Sequence, residues 1–133
     1  KCCRTFGRNM IENGGGSIVN IGSMSGIIVN TPQSQAHYNT SKAAVHQLSK
    51  SLAVEWAQSG VRVIPVAPTY IETDLLNQSP DIQKYISEWK DQTPMKRLGK
   101  VEEVASVVQF LASDASSLIT GAVISVDGGF TAV

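Results

Sequence analysis

Two short apolar runs, residues 17–21 and 61–66, flank one amphipathic stretch of about twenty residues, and this spacing limits the fold more than any other feature. The first run holds Ile18, Val19 and Ile21, apolar toward both faces as in a strand buried inside a parallel sheet. The stretch 38–58 places Val45, Leu48, Leu52 and Trp56 on one helical stripe, with Ala43, Ala44, Ala53 and Ala57 beside it. Gly60 stops it, and Ala67-Pro68-Thr69 ends the second run. A strand, a long helix and a second strand of this size require parallel strands and a right-handed crossover.

The flanking segments extend the same pattern. Residues 1–12 predict the tail of a helix with Cys3, Phe6 and Met10 facing inward and Arg4, Arg8 and Asn9 toward solvent. Asn13-Gly14-Gly15-Gly16 breaks it. That glycine run lies between a helix and a strand, the reverse of the order a phosphate loop needs, so it reads as a structural turn. Ile82, Tyr85, Ile86 and Trp89 mark a shorter helix over the sheet end, a candidate lid. Val104, Val107, Val108 and Leu111 give an inward-facing helix opened by Glu102 and Glu103, and residues 122–126 a third strand turned out by Asp127-Gly128-Gly129. The class is α/β, with three parallel strands and crossover helices.

Composition excludes several partners. In 133 residues, eleven basic side chains balance eleven acidic ones, so no net charge attracts nucleic acid or an anionic membrane. No run of about 18 apolar residues and no leader pattern is present, which gives a cytoplasmic expectation. Cys2 and Cys3 are adjacent and alone, so neither a disulfide framework nor a metal site is expected. The chain opens on Lys1 in mid-pattern, and a missing front part is expected.

Chemistry concentrates in Tyr38-Asn39-Thr40-Ser41-Lys42, where a phenol and an ammonium stand one helical turn apart on the same face. At roughly 5 Å and an effective dielectric of about 20, the cation favours the phenolate by about 3 kcal/mol. Such a tyrosine can exchange a proton with an alcohol oxygen. Ser23 and Ser25 follow the first strand, at the carboxyl end where ligands sit in open α/β sheets. Between serines and tyrosine runs a loop with Asn30, Gln33 and Gln35, uncharged donors suited to a polyhydroxy substrate. His37 and His46 have no acidic neighbour in sequence and read as surface or packing residues.

Taken in order, Ile21-Gly22-Ser23, Tyr38 to Lys42, Val66-Ala67-Pro68, Thr120-Gly121 and Val126-Asp127-Gly128-Gly129 resemble the C-terminal half of the short-chain dehydrogenase/reductase family, across essentially the whole chain. Ser23-Met24-Ser25-Gly26 with Asn30, Pro32, Gln33 and Gln35 is further similar to members acting on mannitol, sorbitol, arabinitol and gluconate. The resemblance implies a Rossmann-like doubly wound sheet, residues 1–133 being a partial domain whose N-terminal dinucleotide-binding half is missing. It implies an NAD- or NADP-dependent interconversion of a secondary alcohol and a ketone, on a sugar or polyol. Tyr38 would be the general acid/base, Ser23 would hydrogen-bond the reacting oxygen, and Lys42 would hold the nicotinamide ribose. Ser25, Asn30 and Gln33 would contact substrate, while Pro68, Ile71 and Thr73 would meet the nicotinamide carboxamide. A homodimer or homotetramer is implied for the complete protein.

The expected truncation and two departures favour an alternative, an inactive fragment or binding module of the same fold. Pro65 stands in a strand expected to be interior, where it removes a ladder hydrogen bond. Thr69 replaces the usual glycine and narrows the approach to the nicotinamide. The first strand is also expected to present an open edge, so the 133 residues alone should self-associate.

Overall fold

The computed structural model describes residues 1–133, the side chains of Leu75 and Asn77 excepted. Its sheet has three parallel strands in the order β1, β2, β3: Gly16–Ile21, Val61–Pro68 and Ile124–Val126. The long crossover helix α2, Ala36–Trp56, follows β1 and leads into β2, as the spacing of the apolar runs requires.

The central strand sorts its side chains by alternation. Val61 and Val63 pack with Ala53, Met10, Ile18, Leu52 and Trp56 on the side of α1 (Cys2–Glu12) and α2. Ile64 and Val66 pack with Leu111, Val104, Val107 and Val108 of a helix spanning Val101–Ala112 on the other. Each of the four strand residues is at most 1% exposed, so each contributes about 1.5–3 kcal/mol of apolar burial.

Several local expectations are corrected. The side of α2 that meets the sheet is the narrow one: His46, Ser49 and Ala53 are buried, while Leu48 stands half exposed. Ser49 can be buried because its hydroxyl donates to the Val45 carbonyl and accepts from Asn20 Nδ2 on β1. In α1 the buried residue is Gly7, lying under the Trp56 ring where a Cβ would come within 2.4 Å, and Phe6 faces solvent. The single lid helix expected through Ile82 and Trp89 is instead split between α4 (Pro80–Gln83) and α5 (Ile86–Gln92), with a further short helix α3 (Asp74–Gln78) before them, after which Val101–Ala112 is α6. β3 begins at Ile124, because Thr120 and Gly121 already occupy the Val63 peptide: Val63 N–H donates to Thr120 Oγ1, and Gly121 N–H to the Val63 carbonyl.

Pro65 breaks no ladder bond toward β1. The Val66 carbonyl accepts from Gly22 N–H on the β1 side, so by alternation the Pro65 nitrogen faces β3, whose pairing begins only at Val66. The expected stability cost is therefore absent. Among the described residues β1 pairs with β2 alone and Ile21 is half exposed, so the outer edge of β1 is open.

Candidate active site

The β1–β2 ladder runs one residue past the strand through Gly22 and then delivers Ser23 in an extended conformation. Ser23 caps the tight turn Met24–Gly26, its Oγ accepting from Ser25 N–H at 3.1 Å. A hydroxyl has one proton and two acceptor positions. The cap uses one acceptor position, and the Ser23 proton stays available to an oxygen in the cleft.

This turn is pressed against α2. A Cβ on Gly22 would lie 2.2 Å from His46 Nε2, and one on Gly26 would lie 2.7 Å from the backbone carbonyl carbon of Lys42. His46, only 4% exposed, accepts from Ser23 N–H at 3.4 Å and bonds the Gly26 backbone. Burial first, then the charges of Lys50 and Lys42, lower its pKa below 6.5 against the opposing Gly26 bond, so the neutral imidazole pins the Ser23 turn. Sequence reasoning assigned His46 a packing or surface role. Its positioning of Ser23 was invisible there because the contact joins residues 23 positions apart.

Tyr38 stands in the first turn of α2, exposed enough to meet a ligand, and Lys42 follows one turn later. The Lys42 ammonium lies 5.5 Å from the Tyr38 ring centre and donates to the Ile21 carbonyl at 3.1 Å, which anchors the cation at the end of β1. Ser23, Ser25, Gln33, Tyr38 and Tyr70 share one cleft of about 450 Å3, closed over by Leu76, Ile82, Tyr85 and Trp89 from the segment containing α3 to α5. Asn30 sits behind that wall. It is 4% exposed, its Nδ2 donates to the Tyr70 hydroxyl, and its Oδ1 accepts from Gln35 Nε2. Gln33 also donates to Tyr70, and Gln35 donates to Ser25 Oγ. Tyr70 and Trp89, stacked with ring centres 3.8 Å apart, carried no signal that linked them to this loop in sequence.

Beyond Thr69 the wall continues into a second cleft of about 300 Å3 that includes Ile71 and Gly128. Pro68 ends β2 opposite Val126. The bridge between Ile71 and Gly99 uses the Tyr70 carbonyl and the Glu72 N–H, so the peptide groups of Ile71 itself take no part in it. The Thr69 hydroxyl is buried without a partner, and Thr73 precedes α3 without capping it. No group of three or more His, Cys, Asp or Glu side chains among the described residues could hold a metal ion.

Residues 1–131 match the family model described as enoyl-(acyl carrier protein) reductase. With the serine, tyrosine and lysine motifs in one Rossmann-type half-sheet, that match decides the assignment. The chain belongs to the short-chain dehydrogenase/reductase family. It is 58% identical over 130 residues to the galactitol 2-dehydrogenase of Rhizobium johnstonii, covering 98% of this chain and 51% of that protein. The solved structure of gox2181 superposes with a TM-score of 0.91 at 57% identity, over 98% of this chain and 51% of that one. A gluconate 5-dehydrogenase from Burkholderia cenocepacia, solved with NADP and tartrate, matches at TM-score 0.86 and 33% identity, with the same coverages of 98% and 51%. The chain thus spans about half the length of the curated relatives it matches.

Proposed function

We propose that the full-length protein interconverts a secondary alcohol and a ketone on a sugar or polyol, with NAD or NADP as hydride carrier. The observation that carries this reading is the convergence of Ser23 and Tyr38 on one cleft, with the Lys42 cation behind the tyrosine ring. The cleft wall adds neutral amides and hydroxyls, the chemistry that recognises polyols without attracting charged metabolites. The named relatives, galactitol and arabinitol dehydrogenases among them, support the same substrate class.

The residues present fit the nicotinamide end of such a carrier. A carboxamide needs both donors and acceptors, and the Ile71 peptide, the unpartnered Thr69 hydroxyl and the Thr73 hydroxyl provide them beside the cleft, with Pro68 holding the strand end. When bound, that group supplies the hydride acceptor. Pyrophosphate recognition falls to a segment preceding these residues, so residues 1–133 are a partial domain. In alcohol oxidation Ser23 donates its hydroxyl proton to the reacting oxygen and orients it. Tyr38 takes up the proton that the alcohol gives up, and Lys42, anchored on the Ile21 carbonyl, stands behind its ring. Asn30 holds the wall, whereas Ser25 and Gln33 face the substrate. We further infer a dimer or tetramer built through the exposed face of α2 and through β3. The orientation of Pro65 argues against counting it among the grounds for an inactive remnant, and leaves the partial length of the chain and Thr69.

The test is Tyr38→Phe in the full-length protein, assayed by reduced-nicotinamide absorbance with galactitol. Turnover should fall by orders of magnitude while the cofactor Kd stays within twofold, and Lys42→Met should weaken both. Unchanged turnover in the phenylalanine variant refutes the assignment.

A further inference from the structure

Gln35 is the N-cap residue of α2, yet its side chain caps no backbone N–H of that helix. Serine, threonine, aspartate and asparagine, whose short side chains reach those donors, are the usual residues there. The longer Gln35 side chain reaches across instead, and its amide end meets the amides of Asn30 and Asn39 at 2.9 Å each and the Ser25 hydroxyl at 3.2 Å. These contacts hold in either polarity. With Nε2 inward, its two protons serve the two asparagine oxygens and the longer Ser25 contact shares one of them. With the three amides turned about together, the Gln35 oxygen accepts from both asparagine nitrogens and from the Ser25 hydroxyl. Turning one amide alone sets like atoms against each other at 2.9 Å, so the same side chains are joined either way.

Two of the three partners belong to the elements that present the reacting groups. Ser25, 5% exposed, donates its N–H to Ser23 Oγ at 3.1 Å, so where Ser25 sits sets where the Ser23 hydroxyl sits. Asn39 follows Tyr38 in the first turn of α2. A helix start without a side-chain cap frays, and the Asn39 bond restrains this one. The third partner, Asn30, is buried and tied at its other end to the Tyr70 hydroxyl at 3.0 Å, which gives the bridge a fixed footing. His46 and the Lys42 backbone hold the serine turn against the body of the helix. Gln35 joins the same turn to the start of the helix, at the cleft it lines.

We propose that Gln35 is a positioning residue for the reaction: its side-chain amide ties the turn that presents Ser23 to the helical turn that presents Tyr38, and so sets the spacing of the two groups that meet the reacting oxygen. It touches neither substrate nor cofactor, and acts through Ser25 and Asn39. The effect on rate rests on the dehydrogenase reading of the cleft. The bridge itself is a property of the fold and is tested separately.

The test is Gln35→Met in the full-length protein, a side chain of similar length without the amide. With a hexitol, kcat should fall about tenfold while KM and the cofactor Kd stay within about twofold, because small misplacements of reacting groups cost rate before they cost binding. Asn39→Ala cuts only the helix end of the bridge and should lower kcat at least about threefold, and the double variant should lose no more than Gln35→Met alone, the mark of two residues acting through one connection. Wild-type kcat in either single variant, losses that multiply in the double variant, or KM and cofactor Kd rising as far as kcat falls, overturns the proposal. Where Gln35→Met does not fold, Asn39→Ala decides by the same kcat criterion. If the wild-type protein oxidises no alcohol at all, the dehydrogenase reading fails and hydrogen exchange decides the bridge. Amides of residues 25–28 and 39–42 should then exchange about tenfold faster in Gln35→Met, or in Asn39→Ala where the former does not fold, with β2 unchanged. Unchanged exchange in either segment overturns it.

Discussion

Gly26→Ala isolates the spacing between the serine turn and the tyrosine helix. Gly26 lies outside the positive-φ region, so alanine meets no backbone penalty there and the whole effect comes from contact. The added Cβ would stand 2.7 Å from the Lys42 carbonyl carbon, 2.8 Å from Ala43 N and 2.8 Å from His46 Cε1. Two of these three are helix backbone, which cannot swing aside as a side-chain tip can. Reaching an ordinary contact of about 3.4 Å means retreat by about 0.7 Å, carried by the turn whose cap is Ser23. A misplacement of about 1 Å can cost about a hundredfold in rate, so kcat should fall roughly ten- to a hundredfold. Overpacking costs about 1–3 kcal/mol, and a protein of about 250 residues should therefore melt about 2–12 °C lower. Calorimetry and steady-state oxidation of a hexitol by the full-length protein read both quantities. Gly14→Ala is the control: its φ of +91° makes alanine strained, but its Cβ would meet nothing within 4 Å and it lies away from the cleft. It should lower the melting temperature and leave kcat alone. If Gly26→Ala keeps wild-type kcat, or if the two variants lose kcat equally, the spacing argument is wrong.

Two further expectations concern stability. The bidentate Arg97–Glu103 pair, 2.8 and 2.6 Å, together with the Lys100 N–H bond, lowers the Glu103 pKa from 4.5 to about 2. The folded value lies below the unfolded one, so this carboxylate stabilises fully above about pH 4.5 and its contribution is lost as pH falls toward about 2. Urea titrations of wild type and Glu103→Gln should therefore differ at neutral pH and converge in acid; a gap that persists at pH 2 contradicts the pairing. Residues 1–133 expressed alone, with the β1 edge open and Phe6 and Ile21 exposed, should sediment as associated species. A monodisperse monomer with a sharp thermal transition is the contrary result.

What the sequence made legible follows from how local each signal is. The strand, helix and strand that define the fold rest on periodicities of two and about 3.6 residues, and β2 obeys them with Val61 and Val63 on one face and Ile64 and Val66 on the other. Tyr38 and Lys42 are one turn apart in any helix, and serines that follow a parallel strand stand at its ligand end whatever surrounds them. The orientation of α2 was less legible. Its apolar stripe through Leu48 competes with a narrower one through His46, Ser49 and Ala53. The narrow stripe is buried because Asn20 and Ser23, more than twenty residues away, satisfy its polar atoms.

The cleft wall shows the same limit more sharply. Asn30 and Gln33 read as substrate donors because amides in a loop beside Tyr38 have nothing nearer in sequence to bind. In the fold, Tyr70 arrives at the end of β2 and takes the N–H groups of both, held there by Trp89 from α5. Pro65 belongs to the same class of problem: whether a proline costs a strand anything depends on which flank its nitrogen faces, and that depends on where β3 begins. Local sequence names the groups able to do chemistry here. Contacts between residues 20 to 60 positions apart decide which of those groups are left free to do it.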